Sequence, residues 1–294
     1  MKVKVDTPLA VTSFFQYVEV DGRPGARGGG FIPYTRMETV VSLGRGNIII
    51  NEKKERGTTT ERALELFQKG TSSKVDVLHR SPVPIGAGFG TSGSGSWAAV
   101  IGASFLLGGT KDYFELALYA HEAEIEMKTG LGTVASISAM PTGAGLLLEP
   151  GPPGRAVLKP IIFEEELYRL IFLVFGRKKT SLLLSSEERL GRISDAGERA
   201  IDIALKEASI EGLLSASRTF AERCGIVDKK FLRLCRKMED MGALGAAPNM
   251  IGDAIHIVVK KERAEKLLRS LRKDYNAFTM IDKFGTGGAM VKHL

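Results

Sequence analysis

A chain of 294 residues that is 44% hydrophobic and 26% charged can bury one large core or two medium ones, and ordinary domain sizes favour two. Its longest apolar stretches, Ala98 to Gly108 and Leu170 to Phe175, fall far short of the roughly 20 residues that span a bilayer, so the composition argues against a membrane protein. The net charge of +7 comes from 41 basic residues interspersed with 34 acidic ones, with no basic run longer than three, and this fits anionic small molecules better than nucleic acid.

The first third is strand-rich, with short β-branched segments at Val3 to Val5, Phe14 to Val20, Glu38 to Leu43, Ile48 to Ile50 and Val75 to His79. Thr60 to Gly70 interrupts them as an amphipathic helix with Ala63, Leu64, Leu66 and Phe67 on one side. A glycine-rich loop follows, then helices over Gly93 to Leu107 and Asp112 to Lys128, and a strand at Ala144 to Glu149. Glu149-Pro-Gly-Pro-Pro-Gly-Arg155 can continue neither a helix nor an interior strand, which predicts domains of residues 1–157 and 158–294. The second half reads as a strand at Leu170 to Phe175 and helices over Ser186 to Glu207, Ile210 to Cys224 and Lys229 to Met241. A strand at Ala254 to Val259, a helix over Lys261 to Leu271, and strands around Ala277 to Ile281 and Met290 to Lys292 complete it. The order predicts an α+β architecture. The opening Met-Lys-Val-Lys-Val-Asp has no apolar signal region, which predicts a cytoplasmic protein. Cys224 and Cys235 fall in helical sequence as packed thiols, the clusters Arg177 to Lys179 and Arg269 to Lys273 read as solvated faces, and no Cys/His group has zinc spacing.

Pro84-Ile-Gly-Ala-Gly-Phe-Gly-Thr-Ser-Gly-Ser-Gly-Ser96 carries five glycines and three serines in thirteen residues and runs directly into an apolar helix. Glycines permit positive φ and close approach of a phosphate, and a helix start offers unpaired N–H groups at a positive dipole end. The combination is an anion cradle. No lysine follows the last glycines, so it is not a Walker loop, and the hydroxyl-rich turn does not suit a dinucleotide fingerprint. The hydroxyls can cap the helix or complete the coordination of magnesium on the same phosphates.

In the helix from Asp112 to Lys128, Glu122 and Glu126 share a face while Glu124 points nearly opposite. Glu124 adjoins His121 on a face otherwise made by Ala117, Ala120 and Met127, which suggests Glu124 for magnesium and His121 for the acceptor. Arg27, within Gly25-Ala-Arg-Gly-Gly-Gly30, is flanked by glycines that would let a substrate carboxylate approach its guanidinium. A glycine-rich hairpin with a solvated arginine is the other reading of that segment.

Pro84-x-x-x-Gly88-Phe89-Gly90-Thr91-Ser92 resembles the Pro-x-x-x-Gly-Leu-Gly-Ser-Ser signature of the GHMP kinases. Asp6-Thr-Pro-Leu-Ala-Val-Thr-Ser-Phe-Phe15, Gly25 to Gly30, Ala120-His-Glu-Ala-Glu-Ile-Glu-Met-Lys-Thr-Gly-Leu-Gly132 and Gly242-Ala-Leu-Gly-Ala-Ala-Pro-Asn-Met-Ile-Gly252 resemble, in order, the archaeal pantoate kinase branch. The resemblance implies a two-domain GHMP kinase fold, with an N-terminal domain like the second domain of ribosomal protein S5 and a C-terminal ferredoxin-like domain. It implies ATP held by Pro84, Gly86, Gly88, Gly90, Thr91, Ser92, Gly93 and Ser94. Magnesium would lie on Ser92 and Glu124, with Thr91 and Ser94 as alternatives to Ser92, and the magnesium carboxylate of the family lies on this helix. A small carboxylate-bearing acceptor would meet Ala26, Arg27 and His121, and a homodimer is common in such kinases.

Three positions depart from the branch. Thr133 stands where Thr-Gly-Leu-Gly is usually followed by the aspartate that serves as candidate general base. Ala26 stands in the place of a serine, and an arginine expected after the next Gly-Gly is replaced within Gly143-Ala-Gly-Leu146. The acceptor is therefore pantoate, pantothenate or a mevalonate derivative such as mevalonate 3-phosphate, and a silent nucleotide-binding protein is the reading outside enzymes.

Overall fold

The computed structural model describes residues 1–178 and 187–294. In chain order the first elements are β1 (Lys2–Pro8), β2 (Val11–Val20), β3 (Arg23–Phe31), β4 (Arg36–Gly44), β5 (Ile48–Ile50), β6 (Lys53–Glu55), α1 (Thr59–Phe67) and β7 (Lys74–Arg80). Then come α2 (Thr91–Leu106), α3 (Tyr113–Glu126), α4 (Thr133–Ala139), β8 (Ala144–Glu149), β9 (Val157–Pro160) and β10 (Tyr168–Gly176). The remainder is α5 (Glu187–Glu207), α6 (Ile210–Arg223), α7 (Lys229–Asp240), β11 (Gly245–Pro248), β12 (Asp253–Lys260), α8 (Lys261–Asp274), β13 (Phe278–Asp282) and β14 (Met290–His293).

The strands form three sheets. The first, ordered β14-β1-β4-β7-β5-β6, is antiparallel except where β5 meets β7, and its apolar positions alternate as period-2 strands require. Val3, Val5, Val41, Val75 and Val77 meet Trp97, Ala98 and Val100 of α2. α2 lies so close that a Cβ at Gly102 would fall 2.5 Å from Val41. The chain's last strand, β14, pairs antiparallel with its first, β1.

The second sheet, β2-β3-β8-β9, packs against α5 and α6. The third, β11-β12-β10-β13, follows the β-α-β-β-α-β order of a ferredoxin-like unit, with α7 and α8 on one face. β10 is buried on both sides: Leu170, Phe172 and Val174 join the central core, while Ile171 and Leu173 face the layer beneath α7 and α8. Full burial of each such side chain contributes about 1.5–3 kcal/mol. The central core also takes in Val83, Ala87 and Phe89 of the glycine-rich loop, and Phe89 meets Phe172 edge to face with centroids 4.9 Å apart. The loop is thus anchored by its own apolar residues to both halves of the molecule.

Several boundaries differ from the sequence reading for local reasons. α1 starts at Thr59 because the Thr58 hydroxyl accepts from the Glu61 N–H, and Asp112 lies just before α3 in a capping box with Glu115. Glycines 25 and 28–30 lie inside strand β3. A Cβ at Gly28 would lie 2.3 Å from the Phe14 carbonyl oxygen and one at Gly30 2.0 Å from that of Val11, so these glycines allow β2 to approach. α4, β6, β9 and β11 are short elements absent from the sequence reading. Of the helix expected over Ser186 to Glu207, Ser186 lies outside the described residues, as does Lys179 of the basic cluster at 177–179. Cys224 and Cys235 are buried free thiols, and burial pushes the Cys235 pKa up to about 12. Among the described residues no helix is long and apolar enough to cross a membrane.

Candidate active site

A cavity of about 190 Å³ opens where the glycine-rich loop, the β2–β3 hairpin, the 129–133 turn and the 249–252 turn converge. The loop forms one wall. Gly86, Gly88 and Gly90 alternate along it with φ of 80°, 79° and 62°, a left-handed conformation that strains any residue with a Cβ. Two of them are also closed off by packing, since a Cβ at Gly88 would lie 2.8 Å from that of Asn249 and one at Gly90 2.7 Å from Thr133 Cγ2.

Gly90 is the residue before α2, and no side chain caps that helix. The hydroxyls of the loop are divided among different tasks. Thr91 and Ser92 line the cavity together with Gly86, Gly88 and Gly90. Ser94 is fully buried, with its Oγ 2.9 Å from that of Thr7, and Ser96 donates to the Gly93 carbonyl at 3.0 Å. Ser94 is thereby withdrawn from the metal-binding alternatives, because its hydroxyl is spent on β1. Pro84, Gly93 and Ser94 are not among the residues lining the cavity. The uncapped α2 start leaves backbone N–H groups at a positive helix end, which suits an anion.

Glu124 stands behind this helix start, 1% exposed. Its Oε1 accepts from the Val134 N–H at 3.2 Å and lies 3.1 Å from His121 Nδ1. Its Oε2 is buried and has no hydrogen-bond partner. That oxygen sits between two glycines: a Cβ at Gly130 would fall 2.3 Å from it and one at Gly93 3.0 Å from it. A buried carboxylate oxygen left unpaired costs free energy unless a cation meets it, so the donor set fits a hard divalent ion completed by phosphate oxygens. Among the described residues no cluster of three or more His, Cys, Asp or Glu could hold a metal without such help. Glu122 and Glu126, on the other face, pair with Arg23 and Arg62 near the surface.

His121 is 6% exposed and rests on Glu124 rather than on the cavity wall. Thr133, the first residue of α4, does line the cavity. On the opposite wall Ala26 and Arg27 come from β3, with Phe15, Leu131, Met140, Leu147 and Met250 supplying apolar surface. Arg27 is the only charged residue lining the cavity among the described residues. Its Nε donates to Gln16 Oε1 at 2.9 Å and a terminal nitrogen donates to the same oxygen, which fixes the guanidinium plane and leaves further donors for a ligand. Its neighbours Gly28, Gly29 and Gly30 also line the cavity, and at Gly28 and Gly30 the missing Cβ lets β2 pack close as well. At Gly145, inside the segment that lacks the expected arginine, a Cβ would strike Met140 Sδ at 2.4 Å, so Met140 occupies that space.

Sequence reasoning missed Gln16, Met140 and His256, and it placed Asn249 only within the 242–252 segment that the resemblance brings near the site, without a role for its side chain. A single histidine inside the apolar run Ala254 to Val259 was the signal for His256.

Residues 58–146 match the N terminal domain of the GHMP kinases. A pantoate kinase of Methanocaldococcus jannaschii is 27% identical over 268 residues, covering 90% of this chain and 96% of that protein. A pantoate kinase of Thermococcus kodakarensis is 27% identical over 288 residues, 94% of this chain and 93% of that one. A solved phosphotransferase related to the CoA biosynthesis pathway superposes with a TM-score of 0.86 at 25% identity, covering 99% of both chains.

Proposed function

We propose that this chain, whose residues 58–146 match the GHMP kinase N terminal domain and which is similar to pantoate kinases, is an ATP-dependent kinase that phosphorylates a hydroxyl of pantoate, in the cytoplasm, on the archaeal route to coenzyme A. The observation that carries the reading is a cavity with a glycine-rich phosphate cradle on one wall and a single arginine in an apolar surface on the other. One cation suits one carboxylate, and Phe15, Leu131, Met140 and Leu147 suit a branched aliphatic body. Acceptors that carry a phosphate as well would leave that second charge unpaired against apolar walls. We divide the chain at residue 157 into an ATP-binding lobe and a second lobe that closes the cavity.

In this reading the N–H groups of the loop and of the α2 start bind the ATP phosphates and orient the γ-phosphoryl towards the acceptor hydroxyl. Ser92 and Glu124 would hold magnesium, which when bound supplies charge neutralisation to the phosphates. His121 orients the Glu124 carboxylate, and Arg27, steadied by Gln16, clamps the acceptor carboxylate. None of the described residues lining the cavity is a carboxylate or an imidazole that could take the hydroxyl proton. Phosphoryl transfer has a loose transition state with late proton release, so orientation and charge neutralisation can carry the rate with Thr133 only hydrogen-bonding the acceptor.

Ala26, in the place of a serine, and Met140, which fills the space beside Gly145, leave the acceptor pocket less polar and favour a second acceptor, pantothenate. The deciding experiment follows ADP release with magnesium, ATP and a panel of pantoate, pantothenate, mevalonate and mevalonate phosphates. Pantoate is expected to give the highest kcat/KM. Preference for another member of the panel would replace the acceptor, and nucleotide binding without turnover on any of them would make the protein a silent binder.

A further inference from the structure

Three buried polar side chains connect the acceptor wall to the nucleotide loop without touching either ligand space. Ser13, on β2 beside the bulge next to Thr12, has its Oγ 3.0 Å from His256 Nε2. His256 Nδ1 lies 3.0 Å from Asn249 Oδ1, and Asn249 Nδ2 donates to the Ala87 carbonyl, inside the glycine-rich loop, at 3.1 Å. All three side chains are at most 1% exposed.

The proton positions follow from the chain of partners. The Ala87 carbonyl can only accept, so the Asn249 amide must present its nitrogen there and its oxygen to the imidazole. His256 is then the tautomer protonated at Nδ1, with Nε2 accepting from the Ser13 hydroxyl. Burial lowers the His256 pKa to about 3, so the ring stays neutral and this polarity holds through the physiological range. The ring is also fixed by Phe31 of the cavity wall, with centroids 5.3 Å apart.

The surrounding backbone is equally close. The Met250 N–H donates to the Thr12 carbonyl at 2.8 Å, and a Cβ at Gly252 would fall 2.4 Å from the Ala87 carbonyl carbon. The 249–252 turn is thus wedged between β2 and the loop, and Asn249 is the side chain that holds the loop to it.

We propose that Ser13, His256 and Asn249 form a positioning relay that sets the glycine-rich loop in its phosphate-binding shape from the acceptor-side strand β2. A buried carbonyl that keeps its partner stays where it is; one that loses it must move to find another. None of the three is a catalytic residue, and the proposal rests on the reading of the loop as the ATP site.

The test measures AMP-PNP affinity by calorimetry, together with KM for ATP and for the acceptor, in wild type, Ser13→Ala, Asn249→Ala and the double variant. Loss of the loop contact is expected to weaken nucleotide binding roughly tenfold in Asn249→Ala and roughly threefold in Ser13→Ala. Acceptor KM stays within about twofold, because no relay atom lines the cavity wall at Arg27. The double variant should bind nucleotide no worse than Asn249→Ala alone, since a chain already cut cannot be cut again. Nucleotide affinity within twofold of wild type in folded Asn249→Ala, or two effects that simply add, would overturn the relay. Should Asn249→Ala fail to fold, Ser13→Ala decides the question, with unchanged nucleotide affinity the overturning result. A wild type that binds no nucleotide would instead overturn the underlying reading of the loop, and the relay with it.

Discussion

The two walls of the cavity are built on different principles. The loop wall is made of backbone: alternating left-handed glycines, an uncapped helix start and an unpaired carboxylate oxygen behind it, with close packing at Gly88, Gly90, Gly93 and Gly130. The acceptor wall is made of side chains, one arginine among apolar groups, and its polarity can change with one residue. In the proposed reading, phosphates are recognised by geometry that tolerates little substitution, and the acceptor by a few replaceable groups. The departures at Ala26, Thr133 and within Gly143 to Leu146 bear on the proposed acceptor side, and none of them removes a glycine of the loop.

That contrast is tested most severely at Glu124. Glu124→Gln keeps an oxygen for the Val134 N–H and changes the shape little, but removes the charge facing Gly93 and Gly130. Turnover with magnesium and ATP should fall by roughly 100-fold or more while circular dichroism is unchanged. Near-normal turnover would move the metal assignment off α3's buried face. Arg27→Met should act on the other wall alone: the KM for the acceptor rises by about 10- to 100-fold, the range of a lost hydrogen bond to a charged group, while the KM for ATP holds. If both KM values rise together, the walls are not independent and Arg27 is part of the nucleotide site.

The backbone shape of the glycine-rich loop was legible in the sequence because it leaves a compositional trace. Glycines at 86, 88 and 90 followed by hydroxyls and an apolar helix spell out a left-handed backbone running into a helix start. Helical periodicity likewise separated Glu124 from Glu122 and Glu126, and the surface pairs to Arg23 and Arg62 occupy the outer two. At Gly25 to Gly30 the same compositional cue marks two things at once, since Gly28 to Gly30 line the cavity and also let two strands press together. His121 was read as an acceptor contact from its shared face with Glu124, but a helix face does not say how deep it lies, and the ring is buried on the carboxylate. The relay through Asn249 and His256 was out of reach for another reason: it joins Ser13 to residues more than 230 positions away, and no local pattern encodes such a meeting. The α+β character of the second half could be read from strand and helix succession and its ferredoxin-like ordering only from the family resemblance, whereas the return of β14 to β1 could be read from neither.

The finest discrimination lies within the loop, between two serines separated by one residue. Ser92 faces the cavity, and Ser94 points away from it to Thr7, whose hydroxyl also donates to the Ser94 carbonyl at 3.0 Å. Successive positions in a helix differ by 100°, so a shift of two residues carries a hydroxyl from the ligand to the sheet behind it. Ser92→Ala should lower turnover roughly tenfold and weaken the dependence on magnesium, as the loss of one hydroxyl among several oxygen ligands would. Ser94→Ala should leave turnover within about twofold and instead cost about 1 kcal/mol of stability, the value of one buried neutral hydrogen bond, read as a small fall in the thermal midpoint. The two variants share residue type, volume change and loop, so any general loosening affects them alike. A Ser94 variant with the larger loss of turnover would mean that α2 is rotated in the working enzyme relative to its position here, and would exchange the assignments of the two hydroxyls.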